Sequence, residues 1–173
     1  WVSSNTSVAT IDTTGLVTSI TAGTTTITYT NSNGCQINAT VTVNALPTIT
    51  GTLNVCIGLT TQLTGSPTAA TTNPWVSSNP LVATINNTGL VTGVSAGSTT
   101  ITYTNSNGCK ITETITVNAL PTITGTLNVC VGLTTQLTGS AAPSPTSPWV
   151  SSNTSVATID TTGLVTSITA GTT

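Results

Sequence analysis

Apolar and polar residues alternate with period two along much of this 173-residue chain. In 99–104, Ile101 and Tyr103 share one face while Thr100, Thr102 and Thr104 share the other. In 109–117, Cys109, Ile111, Ile115 and Val117 fall on one side, with Lys110, Thr112, Thr114 and Thr116 opposite. That period belongs to strands with one buried face. Between 47 and 120 the pattern predicts strands at Thr48–Thr50, Leu53–Ile57, Thr60–Gly65, Trp75–Ser77, Val82–Ile85, Leu90–Val94, Thr99–Thr104 and Cys109–Val117. Gly51, Gly58, Gly89 and Gly97 read as turn residues, and Asn105-Ser106-Asn107-Gly108 as a hairpin loop. Seven or eight short strands, with a turn about every ten residues, describe a β-sandwich or small barrel. Its expected core is Ile101, Tyr103, Cys109, Ile111, Ile115 and Val117, completed by Trp75, Leu63, Ile85 and Leu90. Glu113 falls on the inward parity of its strand. A buried unpaired carboxylate is costly, so a bulge or an end of the sandwich is expected there.

Repetition organises these strands. Trp1, Trp75 and Trp149 are 74 residues apart, as are Cys35 and Cys109, and Cys56 and Cys130. Residues 1–46 match 75–120 at 34 of 46 positions, and 47–66 differs from 121–140 only at Ile57 against Val131. The differences cluster in a Pro-rich loop, 67–74 against 141–148. Residues 149–173 repeat 1–25 unchanged, whereas 75–99 differs from 1–25 at eight positions. Two versions of the unit therefore alternate, with a true repeat of 148 residues. We expect a stretch of a longer tandem array: 1–46 the C-terminal part of one repeat, 47–120 a complete repeat, and 121–173 the N-terminal part of the next. Ala45-Leu46-Pro47 and Ala119-Leu120-Pro121 mark the borders, stiffened by proline.

Composition fixes the class as all-β. Thr, Ser and Asn number 47, 18 and 15, while Lys110 is the single cation against Asp12, Glu113 and Asp160. Disordered chains are poor in β-branched residues and usually rich in charge; this one is the reverse. Helix is disfavoured because Thr and Val lose side-chain freedom there. One cation gives nucleic acid no electrostatic footing. With no His and three scattered acids, neither general acid–base chemistry nor metal ligation has its groups, so no enzyme activity and no cofactor is expected. Asp12 and Asp160 are copies of one position, where the middle unit has Asn86, so no carboxylate pair arises. A Lys–Asn isopeptide clamp fails equally, since Lys110 corresponds to Gln36. No apolar run is long enough to span a bilayer.

The run Trp75–Asn79 (WVSSN), then Val82–Ile85 (VATI), then Thr88–Thr102 (TGLVTGVSAGSTTIT) resembles the signature of group 2 bacterial immunoglobulin-like domains. The resemblance covers the whole chain, because 1–46 and 121–173 are partial copies of the same unit. It implies tandem immunoglobulin-like β-sandwiches of the kind found in bacterial adhesins, invasins and stalks, hence an extracellular or cell-surface location. The Asn-Gly-Cys turn, the Asn-Ala-Leu-Pro linkers and the Thr richness also resemble giant surface proteins that Bacteroidota export by type IX secretion.

One unit carries Cys56, Trp75 and Cys109, an order similar to that of antibody domains. Four cysteines allow three connectivities. Pairing within a unit gives Cys56–Cys109 and leaves Cys35 and Cys130 to partners outside the chain. Pairing across neighbours gives Cys35–Cys56 and Cys109–Cys130, and would need partners within about 7 Å. The third option joins Cys35 to Cys130. The intra-unit disulfide is the expected one, and closing such a loop adds on the order of 4 kcal/mol. Two other arrangements stay open: four reduced thiols, or a Leu53–Ile57 strand parallel to the last one, which would carry Cys56 toward Val117.

Two further features bear on function. Asp12-Thr13-Thr14 and Asp160-Thr161-Thr162 resemble the Asp-Thr acceptor of O-glycosylation in Bacteroidota, with Thr13 and Thr161 as the candidate sites; an ordinary turn capped by the Asp is the other reading. Asn5, Asn38, Asn86 and Asn153 stand in N-x-S/T sequons that a bacterium is expected to leave idle. A nearly neutral Thr/Ser/Asn surface with open sheet edges favours association, so the expected partners are further copies of the chain, packed laterally into fibres. The function expected is a structural spacer in a filament, fibre or stalk. The alternative is an adhesin module whose repeats bind glycans or proteins directly, which would call for exposed aromatics. A crystal- or ice-facing surface of Thr-x-Thr ladders would call for a short solenoid period, and 74 residues is not one.

Overall fold

The computed structural model describes residues 1–173, which form seventeen strands and no helix. The chain divides into two compact units, Trp1–Ala119 and Leu120–Thr173.

In the first unit, β1 (Val2–Ser3), β4 (Gly23–Thr30) and β5 (Gln36–Val43) form one sheet in the order β1-β4-β5, and β2 (Ala9–Ile11) pairs with β3 (Val17–Ser19). Eight strands follow: β6 (Thr48–Gly51), β7 (Asn54–Cys56), β8 (Thr60–Ser66), β9 (Trp75–Ser77), β10 (Ala83–Ile85), β11 (Leu90–Gly93), β12 (Gly97–Thr104) and β13 (Lys110–Asn118). They make two four-stranded sheets, β10-β11-β8-β6 and β7-β13-β12-β9. Each lies within a residue or two of its expected position, and the hairpin Asn105–Gly108 joins β12 to β13 as the Asn-Gly pair requires.

The two sheets face each other over one core. Leu63, Ala83 and Val91 come from the first, and Val55, Trp75, Ile101, Tyr103, Ile115 and Val117 from the second. Trp75 lies against Tyr103 with ring centroids 4.6 Å apart, and the Tyr103 hydroxyl donates to the Pro67 carbonyl, so the one polar group of the ring is satisfied. Tyr103 fits because position 65 is glycine: a Cβ there would run into the ring. Gly89 is needed for two reasons, a φ of 86° and a Cβ position that would meet the Leu63 carbonyl.

Core expectations change at four positions. Leu90 is 37% exposed, and its neighbour Val91 is fully buried. The register pairs Leu90 with Gln62, which flanks inward-facing Leu63 and therefore points outward, so Leu90 does too. Ile85, Ile111 and Cys109 are only partly buried. Glu113 sits opposite Ile101 in an unbroken β12–β13 ladder, so no bulge turns it out. It stays half-exposed because β7 covers β13 only along Thr116–Asn118.

Asn105 is the buried polar exception. Its Oδ1 accepts from the amides of Asn107 and Cys109, while its Nδ2 has no partner. The second unit, Leu120–Thr173, contains β14 (Ile123–Gly125), β15 (Thr134–Gly139), β16 (Ala157–Ile159) and β17 (Leu164–Ser167) in the order β14-β15-β17-β16, the same arrangement as β6, β8, β10 and β11.

Candidate functional site

Polar side chains concentrate in turns. At Asp12, Oδ1 accepts from the Thr14 amide at 2.8 Å, the Thr14 hydroxyl at 2.7 Å and the Leu16 amide at 3.0 Å. Asp160 makes the same three bonds with Thr162 and Leu164. The Thr hydroxyl, followed by the Leu amide, holds each carboxyl below its usual pKa. Asn86 builds the same turn with its amide oxygen, bonding the Thr88 amide and hydroxyl and the Leu90 amide. The turn thus needs an acceptor oxygen and no charge. Thr13 and Thr161 stand exposed at the apices, while Thr14 and Thr162 are tied down.

A second polar cluster, which alternation does not reveal, pins the end of each Trp-bearing strand. The buried Thr99 hydroxyl lies 3.0 Å from the Ser78 hydroxyl and accepts from the Asn79 amide at 2.9 Å. Thr25 does the same for Ser4 and Asn5. The only sequence signal is a Thr on inward parity two residues before a buried Ile, matched by a Ser-Ser-Asn run.

The cysteines do not pair as expected. All four thiols are free. Strand β7 runs parallel to β13 and sets Cys56 opposite Asn118, whereas Cys109 precedes Asn118 by nine residues at the far end of the same strand. At about 3.3 Å per residue that is some 30 Å, against the roughly 7 Å between Cα atoms that a disulfide tolerates. The Cys56–Cys109 bridge is excluded by register. Cys35 and Cys130 are exposed.

No three of the Asp, Glu and Cys residues come together as a metal-holding group. Within 47–120 the aromatics are interior, with Trp75 at 6% and Tyr103 at 1% exposure. In residues 1–46, Trp1 is 49% and Tyr29 40% exposed. The outer face of β12–β13 consists of cross-strand polar pairs, Ser98 with Thr116, Thr100 with Thr114, and Thr102 with Thr112.

Tandem two-sheet sandwiches of this strand order, with polar chemistry confined to turns and ladders, define a protein of immunoglobulin-like repeats. The sequence model for the bacterial Ig-like domain (group 2) matches residues 1–43, 42–117 and 116–173, and the chain belongs to that family. Ice-binding protein 1 of Shewanella frigidimarina is 31% identical over 195 residues, covering 99% of this chain; the chain spans 22% of that protein's length. Among solved structures, a C-terminal 282-residue fragment of intimin, in complex with the intimin-binding domain of the translocated intimin receptor, is 24% identical with a TM-score of 0.44, over 66% of this chain and 47% of the fragment. The S-layer protein rSbsC(31-844) is 20% identical with a TM-score of 0.32, over 95% of this chain and 27% of its own. No helix is long and apolar enough to cross a membrane.

Proposed function

We propose that the chain is a structural segment of an extracellular filament, fibre or stalk, in which each repeat is a spacer and neighbouring arrays associate laterally. The observation that carries this is the core within 47–120: its nine buried residues all come from one 74-residue stretch, which presents Thr, Ser and Asn outward. Folding autonomy lets units be added without redesign, and stability then follows neighbour to neighbour. The repeat boundaries we assign are 1–46, 47–120 and 121–173. Thr13 and Thr161 are the proposed glycan acceptors, because their hydroxyls are exposed and uncommitted at turn apices. Intact-mass measurement of the secreted protein tests the glycan. For the spacer, single-particle images of chains with two, three and four repeats should lengthen by about 35–40 Å per unit; chains that collapse to a constant length would refute it.

The adhesin alternative requires aromatic groups on the surface, and the complete repeat uses Trp75 and Tyr103 in its core. An ice-facing surface is a second reading, favoured by the Shewanella relative's name and by the paired Thr rungs of β12–β13. Two such rungs and a Ser–Thr one, on a strand pair that twists, give a small, non-planar patch. Thermal hysteresis in a solution of this chain would favour that reading over the spacer.

A further inference from the structure

Strand β5 has a hydrogen-bonded neighbour on one side only, since its sheet ends in the order β1-β4-β5. In the complete repeat the corresponding strand β13 is covered by β7 only along Thr116–Asn118, positions equivalent to 42–44. The stretch 36–41 is therefore an open edge in this fold even where a β7 strand is present. Open edges recruit other strands unless something blocks them, and an inward-pointing charge is one such block.

The two versions of the repeat differ at this edge. In β13 it carries Lys110 and, on the inward parity opposite Ile101, Glu113. In β5 the same positions hold Gln36 and Ala39, and Ala39 lies opposite Ile27. Strand β5 has no charge and is β-branched at four of its eight residues besides Ile37.

We propose that the β5 edge is the lateral contact of the array, pairing antiparallel with β5 of a second copy about Ala39; this rests on the reading of lateral association given above. The register is favoured by the near-palindrome of the strand. Centred on Ala39 and within the open stretch, Ile37 meets Val41 on one face, while Asn38 meets Thr40 on the other. Apolar residues meet apolar ones and polar meet polar, so both faces run on across the junction. The same pairing of two β13 strands would set Glu113 against Glu113 and remove both carboxylates from water. The repeats thus alternate between a contact-forming edge and a blocked one. A single strand pair buries less than a standard interface, so each contact is weak and an array gains by repetition.

Sedimentation equilibrium of the 173-residue chain at concentrations up to about 1 mM tests this. The parent should dimerise. The double substitution Gln36→Lys with Ala39→Glu, which copies the edge of the next repeat, should raise the dissociation constant by about 30-fold or more. The converse pair, Lys110→Gln with Glu113→Ala, should give species larger than the dimer. Each substitution installs residues already present at the equivalent position, and an unchanged thermal melt verifies folding. A dimer that survives Gln36→Lys with Ala39→Glu is held elsewhere and overturns the proposal. A monomeric parent also overturns it, while leaving the spacer reading to stand on the length increment.

Discussion

Replacing Gly65 by alanine tests how the complete repeat closes. The new Cβ would lie inside the Tyr103 ring, and the ring cannot retreat without breaking its hydrogen bond to the Pro67 carbonyl. Overpacking a filled core costs about 1–3 kcal/mol and the lost hydrogen bond about 1 kcal/mol more. Against this, glycine in a strand is itself unfavourable by about 0.5–1 kcal/mol, which alanine recovers. The net expectation is a loss of about 1–3.5 kcal/mol. With a urea m-value near 1 kcal/mol/M for a unit of this size, the unfolding midpoint falls by about 1–3.5 M. The control is Tyr103→Leu, which removes the ring atoms that the new Cβ would meet: in a double-mutant cycle most of the cost of Gly65→Ala should disappear in that background. Urea titration measures each variant. An equal cost with and without the ring would refute the packing argument.

Leu63→Ala should cost about 2–5 kcal/mol, while Leu90→Ala should change stability by less than about 0.5 kcal/mol, because the first is fully buried and the second is on the surface; thermal or urea denaturation distinguishes them. The Asp12 and Asp160 carboxyls should titrate below 3.8 in a pH series followed by NMR, and Thr14→Val should bring Asp12 back toward that value. Because their folded pKa is depressed, the stability they contribute is complete above the unfolded value and is lost as pH falls through the folded one; Asp160→Asn should abolish that part of the acid sensitivity. Thiol labelling of the native chain should modify Cys35 and Cys130 faster than the half-buried Cys56 and Cys109, and non-reducing peptide maps should contain no Cys56–Cys109 peptide.

Strand positions were readable from the sequence because alternation and Gly or Asn-Gly turns are local signals, and β12 and β13 are joined by five residues. The partner of β7 was not readable. Its three residues meet β13 across some sixty positions of chain, and nothing in Asn54–Cys56 says whether that meeting is parallel. The cysteine assignment failed for that reason: it depended on which end of β13 lies beside Cys56. Leu90 and Val91 failed more narrowly, since both are apolar neighbours and the Asn86 turn and the Gln62 pairing decide which one turns inward. The Thr25 and Thr99 clusters stayed hidden because a buried threonine looks like a surface one in a chain with 47 of them. The turns at Asp12, Asn86 and Asp160 were visible, and their indifference to charge follows from one repeat carrying Asn where its neighbours carry Asp.

The parallel contact of β7 with β13 has a mechanical consequence. Thr116 donates to the Leu53 carbonyl at 2.9 Å and Ile57 to the Asn118 carbonyl at 3.1 Å, tying the first strands of the repeat to the last one near the point where the chain leaves it. Tension pulling Pro47 one way and Asn118 the other drags these two strands past each other lengthwise. The hydrogen bonds between them then strain together and not in succession. A fibre of such units would resist sudden stretch without any covalent staple and could recover once slack, because re-forming the ladder requires no redox chemistry.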